Sequence, residues 1–210
     1  IVQGITEFLP ISSTGHMMIA DKIINPQGIS KNFKDSFMVI IQLGSILSVL
    51  VYFFKDLNPF VKEKEVFKEK INLWSKIVVG VIPAVIIGLL FDDKIEEIFF
   101  GNTTIIGATL LLYGIFYLFS PQLEERGVRI KTIKEVSYKD ALYVGLFQCL
   151  AVIPGTSRSG STILGGLLLG LQKSVIAEFT FFLAIPTMFG ATFLKLIKSG
   201  FTFSGIEWLY

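Results

Sequence analysis

The sequence predicts an all-α, polytopic membrane protein: a single transmembrane domain built from inverted repeats, with two re-entrant broken-helix hairpins meeting at mid-membrane. Three observations lead there. The 210-residue chain is 52% hydrophobic, carries 20 phenylalanines and is only 17% charged, with a mean hydropathy of +0.66; soluble domains carry about 25% charged residues. The charges are gathered between long runs: 36–54, 77–91, 98–123, 141–157, 159–172 and 179–194 contain no Asp, Glu, Lys, Arg or His, and a spanning helix needs about 20 mostly apolar residues. Two hydroxyl- and glycine-rich breaks, around Pro10 and Pro154, interrupt that apolar background.

The composition excludes some classes. A net charge of +2, with the basic residues in loops, offers no surface for nucleic acid. The lone Cys149 lies in an apolar run, so no disulfide framework exists and packing is its role. The first residue is Ile and already lies in a helix pattern, so the chain reads as a fragment of a longer protein.

Taken in order, residues 1–20 form a broken segment. Pro10 ends the helix begun at Ile1, because proline lacks an N–H and clashes with the preceding turn. Ser12, Ser13 and Thr14 then start a second helix, and Gly15 allows a close approach. Residues 21–35 read as a polar loop with an Asn25-Pro26-Gln27-Gly28 turn. A span follows at 36–54, with Gln42 as its one notable polar residue. Residues 55–76 hold six lysines against four acids. The next span, 77–91, has Pro83 in its middle and Trp74 as an interface anchor. Residues 92–97, four acids and one lysine, read as a loop before a span at 98–119. Residues 120–140 hold five basic residues against four acids. A helix at 141–153 is interrupted by Pro154-Gly155-Thr156-Ser157-Arg158-Ser159-Gly160 and resumes at 161–171, with Gly166 and Gly170 spaced for close packing. The last span is 178–198.

The positive-inside rule places the 55–76 and 120–140 loops in the cytoplasm and the acidic 92–97 loop outside. The 1–20 segment then dips in from the outer face and returns. Two copies of one plan are visible, about 1–55 and about 140–198. Gly4, Glu7, Pro10 and the Ser12–Gly15 run echo Gly145, Gln148, Pro154 and the Gly155–Gly160 run. Three spans separate the copies, and an odd number inverts the second, with the site at the repeat interface.

Glu7 is the only charge before His16, and Arg158 the only one between Asp140 and Lys173. A charge at helix centre costs about 2.5–3.5 kcal/mol on insertion scales, so each needs a partner. They read either as a structural pair joining the repeats or as parts of a site. Arg158, with Thr156, Ser157, Ser159 and free N–H groups at a helix start, makes an oxyanion pocket suited to phosphate or diphosphate. Of Ser12, Ser13 and Thr14, two read as caps and one as a nucleophile if His16 or Glu7 takes its proton. His16, beside a carboxylate and three hydroxyls, reads as a proton-transfer group. Gln3 and Glu7, at i and i+4, share a helix face. Together they offer oxygens to a hydrated divalent cation, Mg²⁺ or Ca²⁺, completed by substrate phosphates.

The Gln3–His16 run resembles the (E/Q)xxxE-to-SSTGH signature of the undecaprenyl-diphosphatase, or bacitracin-resistance, family of bacterial membrane phosphatases, and Pro154–Gly160 resembles its PGxSRSG signature. The resemblance covers essentially the whole chain, and the family's chains run further at both ends. It implies hydrolysis of undecaprenyl diphosphate to undecaprenyl phosphate and inorganic phosphate, which recycles the lipid carrier for peptidoglycan synthesis and confers bacitracin resistance. It implies Glu7, Ser13, His16 and Arg158 as catalytic residues. Ser12, Thr14, Gln148, Thr156, Ser157, Ser159 and Thr162 are implied as substrate-binding. Gln3 stands where many members carry Glu, which weakens any metal role there. The implied partners are the bilayer of the inner membrane and a polyprenyl diphosphate lipid, with room for a homodimer and a site opening to the outer face. Inverted repeats with broken helices are also the architecture of secondary transporters, so a transporter or flippase of a prenyl phosphate lipid is the alternative.

Overall fold

A computed structural model describes residues 1–24, 28–99, 102–125, 127–199, 204–205 and 207. Among them the ordered elements are helical: α1 (Val2–Thr6), α2 (Ser13–Ile24), α3 (Lys31–Ile40), α4 (Gln42–Tyr52), α5 (Phe54–Leu57), α6 (Lys64–Phe99), α7 (Thr103–Leu118), α8 (Ser120–Glu125), α9 (Tyr138–Gln148), α10 (Arg158–Leu168) and α11 (Lys173–Ser199). Three stretches are long and apolar enough to cross a membrane: Lys31–Tyr52, Lys64–Phe91 and Lys173–Lys198. Val51, Leu90, Leu111 and Phe193 are 68–78% exposed. Lipid is the solvent in which such a surface is stable.

Several sequence-based boundaries are corrected. The acidic 92–97 stretch is not a loop but the last turns of α6. Nothing between Phe91 and Phe99 breaks a helix, since Asp, Lys, Glu and Ile all propagate one; α6 runs to Phe99, and α7 has its own cap in Asn102, whose Oδ1 accepts from the amides of Thr104 and Ile105. The span expected at 98–119 therefore shrinks to the 16 residues of α7, about 24 Å long. Likewise α6 begins at Lys64 inside the expected 55–76 loop, and α2 and α3 cut the expected 21–35 loop to 25–30. The span at 36–54 starts earlier, at Lys31, where Ser30 Oγ accepts from the Phe33 amide, and it steps at Ile41 between α3 and α4. Of the expected turn at 25–28, Asn25, Pro26 and Gln27 lie outside the described residues.

The core sits where α4, α6, α9 and α11 meet, around Ile46, Ile77, Val144, Phe179, Phe182 and Leu183. Two glycines set its density. A Cβ on Gly145 would lie 2.0 Å from the Gly80 carbonyl oxygen, so α9 crosses α6 with backbone against backbone. Gly166 packs on Ile176. Gly170, expected as its packing partner, instead ends the helix at φ 80°. α9 starts on a reciprocal cap between Ser137 and Asp140. Burial opposes ionisation of Asp140, but the Ser137 hydroxyl and the Arg129 guanidinium outweigh it and hold the carboxyl below its ordinary value. α7 is tied to α10 by Tyr117, which donates to the Gly160 carbonyl, and by Tyr113, whose phenol accepts from Ser161.

The order helix, break, helix, span thus occurs at α1–α2 then α3–α4, and again at α9–α10 then α11. Gly145→Ala should lower the thermal stability of the purified protein by about 1–3 kcal/mol, because the crossing has no room for a methyl group. Gly107→Ala on α7, where a Cβ meets nothing within 4 Å, should raise it by up to about 1 kcal/mol. Equal effects of the two, measured by thermal unfolding in detergent, would contradict this packing.

Candidate active site

The two breaks meet. α1 ends at Thr6, and Glu7 to Pro10 turn the chain. Ser12 then takes φ 65°, a conformation that L residues other than glycine seldom adopt and that clusters at functional sites. α2 begins at Ser13. In the second copy, α9 tightens into a 3₁₀ turn at Cys149–Val152, and Gly155 turns the chain at φ 90°. No larger residue fits there: a Cβ would lie 2.0 Å from Thr109 Oγ1, which donates to the Pro154 carbonyl at 2.8 Å. Ser157 caps α10 by accepting from the Gly160 amide, and Arg158 is its first residue.

An ion pair joins the breaks: Arg158 Nη2 donates to Glu7 Oε1 at 3.0 Å, with the side chains 10% and 5% exposed. Ser13 Oγ donates to the other oxygen, Glu7 Oε2, at 2.5 Å. Gln3 Nε2 also approaches Oε2, at 3.4 Å, while its Oε1 accepts from Ser45 on α4 at 3.0 Å. Arg158 Nη1 donates to the Thr180 carbonyl on α11. Ser159 Oγ reaches the Leu9 carbonyl at 3.4 Å.

Around this pair lies a cavity of about 260 Å³, lined by Glu7, Ser12, Ser13, Thr14, Gln148, Thr156, Ser157, Arg158 and Ser159 among others. The starts of α2 and α10 both face it, and helix starts leave N–H groups and a positive dipole end for an anion. Two buried polar atoms here have no partner, Arg158 Nε and Gln148 Oε1. Such atoms are costly in an apolar interior unless a ligand completes them.

Three of the residues expected from the sequence do not line the cavity. His16 is half-buried on α2, and its Nδ1 lies 2.9 Å from the Ser12 carbonyl. A carbonyl only accepts, so Nδ1 is the donor in this contact. Thr162 is wholly buried, donating to the Arg158 and Ser159 carbonyls and accepting from Thr180; it braces Arg158 from behind. Gln3 orients Glu7. Two polar lining residues had no role assigned from the sequence, Gln42 and Thr187. Thr187 accepts from Gln148 Nε2 and donates to the Leu183 carbonyl. Its only signal was a hydroxyl next to Pro186 within an apolar span.

Of the two residues expected to offer oxygens to a cation, Glu7 accepts from Ser13 through Oε2 and from Arg158 through Oε1, and Gln3 Oε1 accepts from Ser45; no cluster of three His, Cys, Asp or Glu occurs among the described residues.

A family model described as bacitracin resistance protein BacA matches residues 1–209. The undecaprenyl-diphosphatase of Fusobacterium nucleatum subsp. nucleatum is 54% identical, over 100% of this chain and 80% of its own. Undecaprenyl-diphosphatase 1 of Clostridioides difficile is 54% identical over 100% of this chain and 76% of its own. The undecaprenyl-diphosphatase of Enterococcus faecalis is 46% identical, over 100% and 77%.

Removing one member of a buried ion pair strands the other, at about 3–5 kcal/mol. Glu7→Leu and Arg158→Leu should each lose that much in chemical unfolding, and the double variant should lose clearly less than their sum. Additive losses would mean that the two charges are not coupled.

Proposed function

The chain belongs to the bacitracin resistance protein BacA family, and from that premise we propose that it is an integral membrane phosphatase hydrolysing undecaprenyl diphosphate to undecaprenyl phosphate and inorganic phosphate. The observation that carries this is the Ser13 hydroxyl, donated to a carboxylate whose other oxygen is held by Arg158, at the wall of a buried cavity. A hydroxyl with a base on its proton and a guanidinium beside it is equipped for phosphoryl transfer. The product returns the lipid carrier to peptidoglycan synthesis, and its regeneration underlies bacitracin resistance.

The diphosphate enters between the starts of α2 and α10 and takes the free Arg158 Nε–H. Ser12, Thr14, Thr156 and Ser159 supply further hydroxyls. Ser13 Oγ attacks the terminal phosphorus in line. The new Oγ–P bond forms as the bridging P–O bond breaks, the Ser13 proton passes to Glu7 Oε2, and undecaprenyl phosphate leaves. Water, held by the acceptor Gln148 Oε1 at the cavity wall, then attacks the phosphoserine. The P–Oγ bond breaks, Glu7 Oε2 returns its proton to Ser13 Oγ, and inorganic phosphate departs carrying the oxygen and both protons of the water. A divalent cation, Mg²⁺ or Ca²⁺, belongs to this scheme only as the counter-ion carried in by the diphosphate.

The inverted-repeat reading is supported by the repeated order of elements and by the pair that joins the two breaks. With the lysine-rich 55–76 and basic 120–140 segments cytoplasmic, the first hairpin and the cavity open to the outer face of the bacterial inner membrane.

Ser13→Ala should reduce phosphate release from undecaprenyl diphosphate by several orders of magnitude, leaving what positioning and electrostatics give to water. Ser12→Ala should lose about 1–2 kcal/mol of transition-state stabilisation, one hydrogen bond's worth. Rapid quenching with terminally labelled substrate should trap label on the protein. Equal, modest losses without trapped label would favour direct attack by water, and a pure lipid transporter would release no phosphate at all.

Orientation has its own measurement. Cysteines at Lys62 and Lys131 should be shielded from impermeant thiol reagents in intact cells, and one at Lys31 should react. The opposite pattern would put the site on the inner leaflet.

A further inference from the structure

We infer that the groove between α6 and α11 takes the prenyl chain of the lipid diphosphate, so that these two helices set the enzyme's preference for long chains. This deepens the phosphatase reading and rests on it. The groove, of about 430 Å³, shares Ala84, Thr187 and Ala191 with the cavity at Glu7 and Arg158. A larger apolar cavity of about 650 Å³, among α1, α2 and α3, shares no lining residue with that cavity and so cannot carry a chain leading out of it.

The junction is polar on the correct side. Thr187 stands where the two spaces join and accepts from Gln148, a 3% exposed side chain whose Oε1 has no partner. An amphiphile with a diphosphate head meets hydrogen-bonding groups on one side of Thr187 and a mainly apolar wall on the other, to which α3 adds Val39 and in which Asp35 and Lys195 are the charged members. Gly88 on α6 and Gly190 on α11 keep the groove open, since a Cβ on either would meet nothing within 4 Å. Leu89 and Phe193 beside them are 66% and 68% exposed, so the far side of the groove opens to lipid. A space of this volume is at the lower end of small-molecule sites. It holds only the first isoprene units, and the rest of the chain runs on into the bilayer.

The test is the ratio of kcat/KM for undecaprenyl diphosphate to that for dimethylallyl diphosphate, a one-unit analogue. Gly88→Leu and Gly190→Leu fill the groove without touching backbone and replace a poor helix former by a good one, so the variants fold. Each should lower the ratio by at least about tenfold, the effect of extra methylenes in an apolar pocket. Gly107→Leu, equally unhindered but on α7, should not move it. The groove assignment is overturned if an active parent enzyme shows the same ratio as both groove variants, or if Gly107→Leu moves it as much. A parent that releases no phosphate from either lipid refutes the phosphatase reading, and the groove assignment falls with it; that result is distinct from an active enzyme with an unmoved ratio.

Discussion

A carboxylate and a guanidinium, 151 residues apart in the chain, are buried against each other where two breaks of an apolar chain meet. Neither is stable alone in apolar surroundings. Both therefore depend on α1 and α10 arriving at one place with atomic tolerance, and much of the packing serves that. Gly80 and Gly145 let α9 cross α6 at backbone contact, Gly155 lets the second break slip under Thr109, and Thr162 and Thr180 brace Arg158 from behind.

The pair is held without being used up. Glu7 divides its oxygens between Arg158 and Ser13, and Arg158 keeps its Nε–H free. A structural salt bridge and a catalytic one are alternatives only when each group has a single partner. Here the same contact that joins the two breaks also fixes Glu7 Oε2 on the Ser13 hydroxyl. The left-handed Ser12 beside it is strain that the surrounding contacts, the His16 ring among them, hold in place.

Hydropathy located the apolar segments because burial in lipid is written residue by residue. It misjudged where they end. Charged residues such as Asp92 and Lys94 read as loop, yet a helix about 54 Å long outreaches the roughly 30 Å hydrocarbon core and carries its charged turns beyond it. The stretch expected to span at 98–119 lost its first residues to α6 and its cap to Asn102. Charge clustering marks where a chain leaves the membrane, whereas caps and breakers mark where a helix stops, and the two need not coincide.

The sequence by itself determined where the polar site lies: an isolated carboxylate and an isolated arginine each stand in a hydroxyl- and glycine-rich break of an apolar chain and each needs a partner. Glu7 and Arg158 stood out for that reason, whereas Ser13 was singled out among three hydroxyls only by the family resemblance. The tertiary structure alone decided which hydroxyl meets Glu7, that His16 faces the Ser12 carbonyl rather than the cavity, that Thr162 is a brace, and that Thr187 and Gln42 belong to the wall. Those assignments depend on how helices rotate about their axes as they pack. That rotation is fixed by contacts between segments far apart in the chain, and no local spacing records it.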